Sequence, residues 1–221
     1  VRVELAGGVT HEARAVLVAT GITDDLPPVP GLAERWGATV LHCPYCHGWE
    51  VRDGRLGVLV TSPLGFDQAE LVRQLSERVT VFAAGVEPDE VTRRRLRARG
   101  VELVGSPVTE IAGEGAAIEA VRTADGTAHL IDALFTVAQP RTHGAFLSHL
   151  DLARNETPFG SYLAVDQAGK TSDDGIWAAG NVVNPMANVP MSIGAGTFAG
   201  PAVNGRLVEE EFDLAVAEVW S

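Results

Sequence analysis

Cys43 and Cys46 stand three residues apart in the run His42-Cys43-Pro44-Tyr45-Cys46-His47-Gly48-Trp49-Glu50. Two thiols at that spacing can close a small disulfide ring. In thiol–disulfide exchange one thiolate attacks and a second resolves the mixed disulfide. His42 and His47 flank the pair. An imidazolium lowers a neighbouring thiol's pKa, and a neutral imidazole can take its proton. The run therefore reads as a tuned redox dithiol. Three other readings of the same residues stay open. Zinc could be held by two Cys and a His, although a second ligand pair at the usual spacing is missing. Cys43-X-X-Cys46-His47 also matches a c-type haem attachment motif, which usually belongs to exported, mostly helical proteins. The pair could also be inert core, since free cysteine is often simply buried.

The rest of the chain has to present this pair. Its 221 residues allow one or two domains and a real core without staples. Hydrophobic residues make up 46% and charged residues 21%, as in an ordinary globular protein. The 24 glycines imply many tight turns. A net charge of −12 argues against a nucleic-acid partner. Arg93, Arg94, Arg95, Arg97 and Arg99 lie beside Glu87, Asp89 and Glu90, which reads as a solvated helix face rather than an anion site. No apolar run approaches membrane-spanning length, so no membrane partner is expected. Two cysteines this close are not a structural disulfide framework. With no signal peptide visible, a reducing, cytoplasmic location is the expectation. The chain opens on Val1 rather than Met and directly in a strand-like pattern, so a preceding segment is expected.

Periodicity sketches the elements. Residues 1–5 alternate as a half-buried strand, Gly7-Gly8 turns, and residues 13–19 read as a fully buried strand ending at Thr20-Gly21. Pro27, Pro28 and Pro30 mark a linker. Beyond the dithiol come a strand over 56–60, a helix over 66–75, a strand over 79–83, a helix over 87–99 stopped by Gly100, and a strand over 101–104. That β-α-β-α-β order predicts a doubly wound parallel sheet. Residues 107–130 read as an antiparallel insert, 133–138 and 162–166 as strands, and 175–180 as a strand with a tight turn. A Gly/Ala-rich helix is expected over 192–208.

Ala19-Thr20-Gly21, the linker, the Cys-X-X-Cys at the entry to a βαβ unit, and Ala178-Ala179-Gly180 before the small-residue helix occur in one order. That order resembles the thioredoxin-reductase-like pyridine nucleotide–disulfide oxidoreductases. The Cys43-to-Glu50 run resembles the branch that includes the gliotoxin and holomycin dithiol oxidases. The resemblance implies an α/β fold of two Rossmann-like, three-layer domains. An FAD-type domain would be discontinuous, over 1–32 and 137–221, with its first βαβ missing. An inserted NAD(P)-binding-like domain over 33–136 would carry the dithiol. By the same resemblance Cys46 would lie nearer the flavin, Cys43 would exchange with substrate, and His47 would be the acid–base group. Thr20, Gly21, Gly180, Asn181, Met191 and Ser192 would contact FAD. A homodimer is expected on resemblance alone.

The sequence also departs from the family. The Gly-X-Gly-X-X-Gly loop that cradles a pyrophosphate at the head of the FAD domain is not among these residues. In the inserted domain Val60-Thr61-Ser62-Pro63 stands where the family has its glycines, and Ala83-Ala84-Gly85 where it has bases for the NADP 2′-phosphate. The expectation is that NADPH is not bound. Gly180-Asn181 replaces a Gly-Asp pair, exchanging a carboxylate for a neutral amide. The leading expectation is thus a flavin-dependent dithiol oxidase of a small-molecule or peptide dithiol. A flavin-free descendant acting as a binding module or non-redox enzyme is the alternative.

Overall fold

The computed structural model describes residues 1–83 and 85–220, in two compact units. The first comprises Val1–Asp24 and Pro140–Ser221, and the second is the continuous stretch Asp25–Gln139. In chain order the first unit opens with β1 (Arg2–Glu4), β2 (Thr10–Glu12), β3 (Val16–Val18) and β4 (Ile22–Asp25), the last of which runs into the second unit. The second unit continues with β5 (Val40–Leu41), α1 (Pro44–His47), β6 (Leu56–Val60), α2 (Leu64–Val72), β7 (Val79–Ala83), α3 (Glu90–Ala98), β8 (Glu102–Val104), β9 (Val108–Ala112), β10 (Ala120–Thr123), β11 (Ala128–Leu130) and β12 (Ala133–Thr136). The chain returns through β13 (Gln139–Thr142), which pairs with β4, and then adds β14 (Arg154–Thr157), β15 (Gly160–Leu163), β16 (Ile176–Ala178) and α4 (Val189–Trp220).

The second unit is a three-layer, Rossmann-like fold. Its sheet runs in the order β5-β12-β6-β7-β8, and every pairing in it is parallel. Parallel strands need crossovers on the sheet faces, so both faces are covered and the strands read as continuous apolar runs. All five residues of β6 and all four of β12 are buried. On one face Leu56, Val58 and Val60 meet Phe66, Ala69 and Val72 of α2 and Leu96 of α3. On the other, Leu59, Phe82 and Leu134 pack with Leu32, Ile111 and Val121, the last two from the antiparallel sheet β11-β10-β9. Gly57 leaves room for that second layer, because a Cβ there would lie 2.7 Å from Leu134 and 3.2 Å from Phe82.

Local rules explain the helix ends. Asp89 accepts the Thr92 amide at 2.7 Å and caps α3, which is worth about 1 kcal/mol. Gly100 follows the helix at φ +73°, a conformation that suits glycine. The expected helix over 87–99 therefore starts three residues later, at Glu90. Arg95 of this helix is paired with Glu70 and Arg93 with Glu87, in keeping with a solvated face. The entry loop of the unit is fixed by Arg35, only 6% exposed, whose guanidinium donates to the carbonyls of Gly31, Gly113 and Ala117.

In the first unit β3 and β16 form a parallel pair, and Val18, Leu163, Ile176, Ala178 and Val182 build the core. Several sequence expectations change here. The strand over 13–19 is shorter and not fully buried, since Leu17 is 39% exposed. A hairpin partner, β2, was not anticipated, and β1 is a mostly exposed ribbon rather than a half-buried strand. The strand expected over 162–166 is β15, drawn back to Gly160–Leu163 by antiparallel pairing with β14. The helix expected over 192–208 extends over 32 residues, with only Ala199 buried among those described. Its apolar residues Phe198, Phe212, Leu214 and Trp220 are all more than half exposed.

Gly31 offers a direct test of the second unit's packing. It sits at φ +81°, and a Cβ would lie 2.0 Å from the Ile111 carbonyl oxygen. Gly31→Ala is expected to cost about 3 kcal/mol, read as a lowered urea midpoint.

Candidate functional site: a dithiol on a short helix

Cys43 closes the loop after β5, and α1 begins immediately behind it. Pro44 occupies the first helical position, where its missing N–H costs nothing and its fixed φ favours the turn. The Cys43 carbonyl accepts the amides of Cys46 and His47, both at 3.2 Å, so one helical turn brings the two sulfurs to the same side. Gly48 ends the turn and is buried. A Cβ there would come within 2.3 Å of both the Leu75 side chain and the Pro44 carbonyl, so α1 lies closely against the end of α2.

The Sγ atoms of Cys43 and Cys46 lie 2.7 Å apart. Cys46 is exposed and Cys43 half-buried, so the inert-core reading of the pair does not hold. The S–H of Cys46 donates to the Cys43 sulfur, and that bond, with some burial and the charge of Cys43, pushes the Cys46 thiol up from 9.0 to about 11. The raised thiol makes Cys46 the weaker nucleophile of the reduced pair at neutral pH, although it is the more exposed. His47 is the last residue of α1 and exposed, and His42 precedes Cys43 with its ring edge-on to Trp36. Among the described residues no group of three or more His, Cys, Asp or Glu is placed to hold a metal.

Tyr45, between the two cysteines in sequence, and Trp49, three residues beyond Cys46, are exposed aromatics, at 83% and 70% exposure. Arg52 is stacked 4.1 Å from the Trp49 ring centre and donates to the Trp49 carbonyl. The turn between β6 and α2 carries Thr61, Ser62 and Pro63, so side chains occupy the place where a glycine loop would expose N–H groups. Ala83 ends β7, and Ala84 lies outside the described residues.

The residues expected to contact flavin lie in the first unit. Thr20-Gly21 and Gly180-Asn181 follow the carboxyl ends of the adjacent parallel strands β3 and β16, joined by the Ala179 amide to the Val18 carbonyl at 3.0 Å. Ligands of open parallel sheets bind at such ends. Gly180, at φ +79°, approaches Ser192 of α4, its position for a Cβ being 3.7 Å from the hydroxyl. Met191 lines a 210 Å³ cavity with Gly180, Val183 and Asn184. The structure therefore gathers these residues at one end of one sheet. Two details were not visible in the sequence. The Asn181 side-chain N–H donates to the Ala187 carbonyl at 2.8 Å, and Asn188 caps α4 by accepting the Met191 amide at 3.0 Å. Those donors are engaged within the protein, whereas the strand ends and Gly180 keep a close-approach surface. The residues present fit one side of a flavin, and a 210 Å³ cavity is smaller than a full ligand pocket.

Residues 2–199 match the family model described as pyridine nucleotide-disulphide oxidoreductase, and the chain belongs to that family. Among curated proteins it is 31% identical over 211 residues to thioredoxin reductase tcpT of Claviceps purpurea, covering 92% of this chain and 65% of that protein. It is 32% identical to thioredoxin reductase sirT of Leptosphaeria maculans, covering 89% and 64%. The chain thus spans a little under two thirds of the length of these relatives. The crystal structure of HlmI superposes with a TM-score of 0.92 at 41% identity, over 98% of this chain and 67% of that one. An oxidoreductase from Agrobacterium tumefaciens follows at 0.85 and 37%, over 94% and 69%.

The thiol assignment predicts an alkylation pattern. Between pH 7 and 9 iodoacetamide is expected to label Cys43 faster than the more exposed Cys46, as mapped by peptide mass. In Cys43→Ala the Cys46 titration should fall from about 11 towards 9.0, because its main hydrogen-bond acceptor is gone. Faster labelling of Cys46 in the wild type would overturn that ranking of the two thiols.

Proposed function

We propose that this chain is the thiol-exchanging part of a flavin-dependent dithiol oxidase that acts on a small-molecule or peptide dithiol. The observation that carries the reading is the Cys43–Cys46 pair on a one-turn helix, half-buried Cys43 beside exposed Cys46, with the sulfurs 2.7 Å apart. In the oxidised form, a substrate thiolate attacks Cys43 Sγ, the Cys43–Cys46 bond breaks, and Cys46 takes up a proton as it leaves. The second substrate thiolate then attacks the substrate sulfur of the mixed disulfide and releases Cys43. The substrate disulfide forms as the protein disulfide is reduced, so the electrons balance. Because a thiol raised to about 11 is a poor leaving group as a bare thiolate, proton delivery to Cys46 must accompany the S–S cleavage. His47, on the same turn, is the group assigned to carry protons to and from the pair. Bound flavin would supply the two-electron sink that regenerates the disulfide, with dioxygen as the final acceptor. Thr20, Gly21, Gly180, Asn181, Met191 and Ser192 are the residues that would hold it.

The direction of electron flow is argued from the inserted unit. The Thr61-Ser62-Pro63 turn puts side chains, and one residue without an N–H, at the start of α2, where a pyrophosphate would need bare backbone. That supports an oxidase independent of NADPH over a reductase, although the curated relatives carry reductase names. A flavin-free binding module is the second reading, favoured by the engagement of the Asn181 amide with Ala187. A second copy of the chain is the proposed partner, and the exposed apolar residues of α4 support it.

The visible spectrum of the protein purified from its full-length gene tests this. A flavin spectrum that bleaches with dithiol under argon, returns with air and ignores NADPH is the expected result. Cys43→Ser and Cys46→Ser should each lower turnover at least a thousandfold, as removing a covalent nucleophile does. A colourless protein that takes up no flavin would establish the flavin-free reading instead.

A further inference from the structure

Gln68 lies in the apolar stripe of α2, between Phe66 and Ala69 and one turn before Val72, all of them buried. It is 6% exposed. Its Nε2 donates to the His42 carbonyl at 2.5 Å. Its Oε1 is the buried side-chain polar atom that has no hydrogen-bond partner among the described residues. Turning the amide over would set Oε1 against the His42 carbonyl, acceptor to acceptor, so the orientation is fixed by its one bond.

This is a poor arrangement for stability. One hydrogen bond is gained and one carbonyl is desolvated without compensation, and the two effects are of similar size. An apolar residue would serve the core of α2 at least as well. A buried group left unsatisfied calls for a reason other than packing. The one bond Gln68 does make ends on the residue before Cys43. Fixing the His42 carbonyl fixes the peptide plane between His42 and Cys43, and with it Cys43 at φ −111°. The Cys43 carbonyl in turn receives the Cys46 and His47 amides. His42 itself is exposed, so without Gln68 its carbonyl could turn to water.

We infer that Gln68 is a positioning residue for the dithiol: it holds the His42–Cys43 peptide so that the Cys43 and Cys46 sulfurs stay within bonding reach. The inference rests on the dithiol function proposed above and adds to it the group that sets the closure equilibrium. Holding two thiols together raises the effective concentration of one at the other, and that quantity governs how readily the disulfide closes.

The test equilibrates the chain with glutathione buffers. The protein dithiol becomes a disulfide as the glutathione disulfide bond breaks and its two thiols form, and acid quenching with mass-shift alkylation reads the ratio. Gln68→Met is expected to move the equilibrium three- to tenfold towards the dithiol, raising the midpoint potential by about 15 to 30 mV. Its melting temperature is expected to stay within a few degrees of wild type. Gln68→Leu removes the donor with an apolar side chain. It should shift the same way and serves if the Met variant does not fold. An unchanged equilibrium in a folded variant overturns the inference alone, as does a large loss of stability with no change in potential. A wild-type pair that does not cycle between dithiol and disulfide overturns the functional reading and this one with it.

Discussion

Burial of the parallel sheet on both faces is the constraint from which the second unit follows. Once β6 and β12 are wholly apolar, neither face of the sheet can meet water. Helices α2 and α3 must cover one side and the β9–β11 meander the other. With α2 held there, Leu75 near its end forms a wall that only a glycine can approach, and Gly48 is that glycine. The single turn that carries Cys43 and Cys46 is thus laid against a helix that the sheet has already fixed. A four-residue helix has no stability of its own. It persists because its neighbours are rigid, and the pose of the two sulfurs follows from theirs.

The chemistry depends on a smaller asymmetry within that frame. The cysteines are alike in type and three residues apart, yet one S–H donates and the other sulfur accepts. That bond pushes the donor's thiol up to about 11, so the two sulfurs are chemically unlike. Tyr45 and Trp49 add exposed aromatic surface on the same short stretch of chain.

Much of this was legible in the sequence, and the reasons are physical. The run from β6 to β8 alternates between continuous apolar strands and helical spacing, so β6 and β7 are legible to the residue, whereas the helices expected over 66–75 and 87–99 are displaced by one to three residues at their ends. The meander was marked by Gly113 to Gly115 and Asp125-Gly126. The short hairpin strand β2 was not read, because Thr10-His11-Glu12 is polar and fully exposed and so has no pattern. The extent of α4 was not read either. Pro201 sits inside the helix, its apolar residues do not favour one face, and nothing after residue 208 stops it. At the site, Cys-X-X-Cys spacing is a local signal and was visible at once. Gln68 and Asn188 act through bonds to residues 26 and 3 positions away, and a glutamine in a helix reads as surface. Only the interruption of the α2 apolar stripe could have singled Gln68 out.

The pairing of β4 with β13 has a consequence for how the first unit folds at all. Its two sequence segments are separated by the whole of the second unit, a gap that would ordinarily make their meeting slow and entropically costly. If the second unit folds first around its own core, the strands on either side of it emerge side by side. The long gap then shrinks to the equivalent of a hairpin turn. The inserted unit is in that sense a folding clamp for its host, and a lesion in its core would be felt as a delay in assembling residues far away from it.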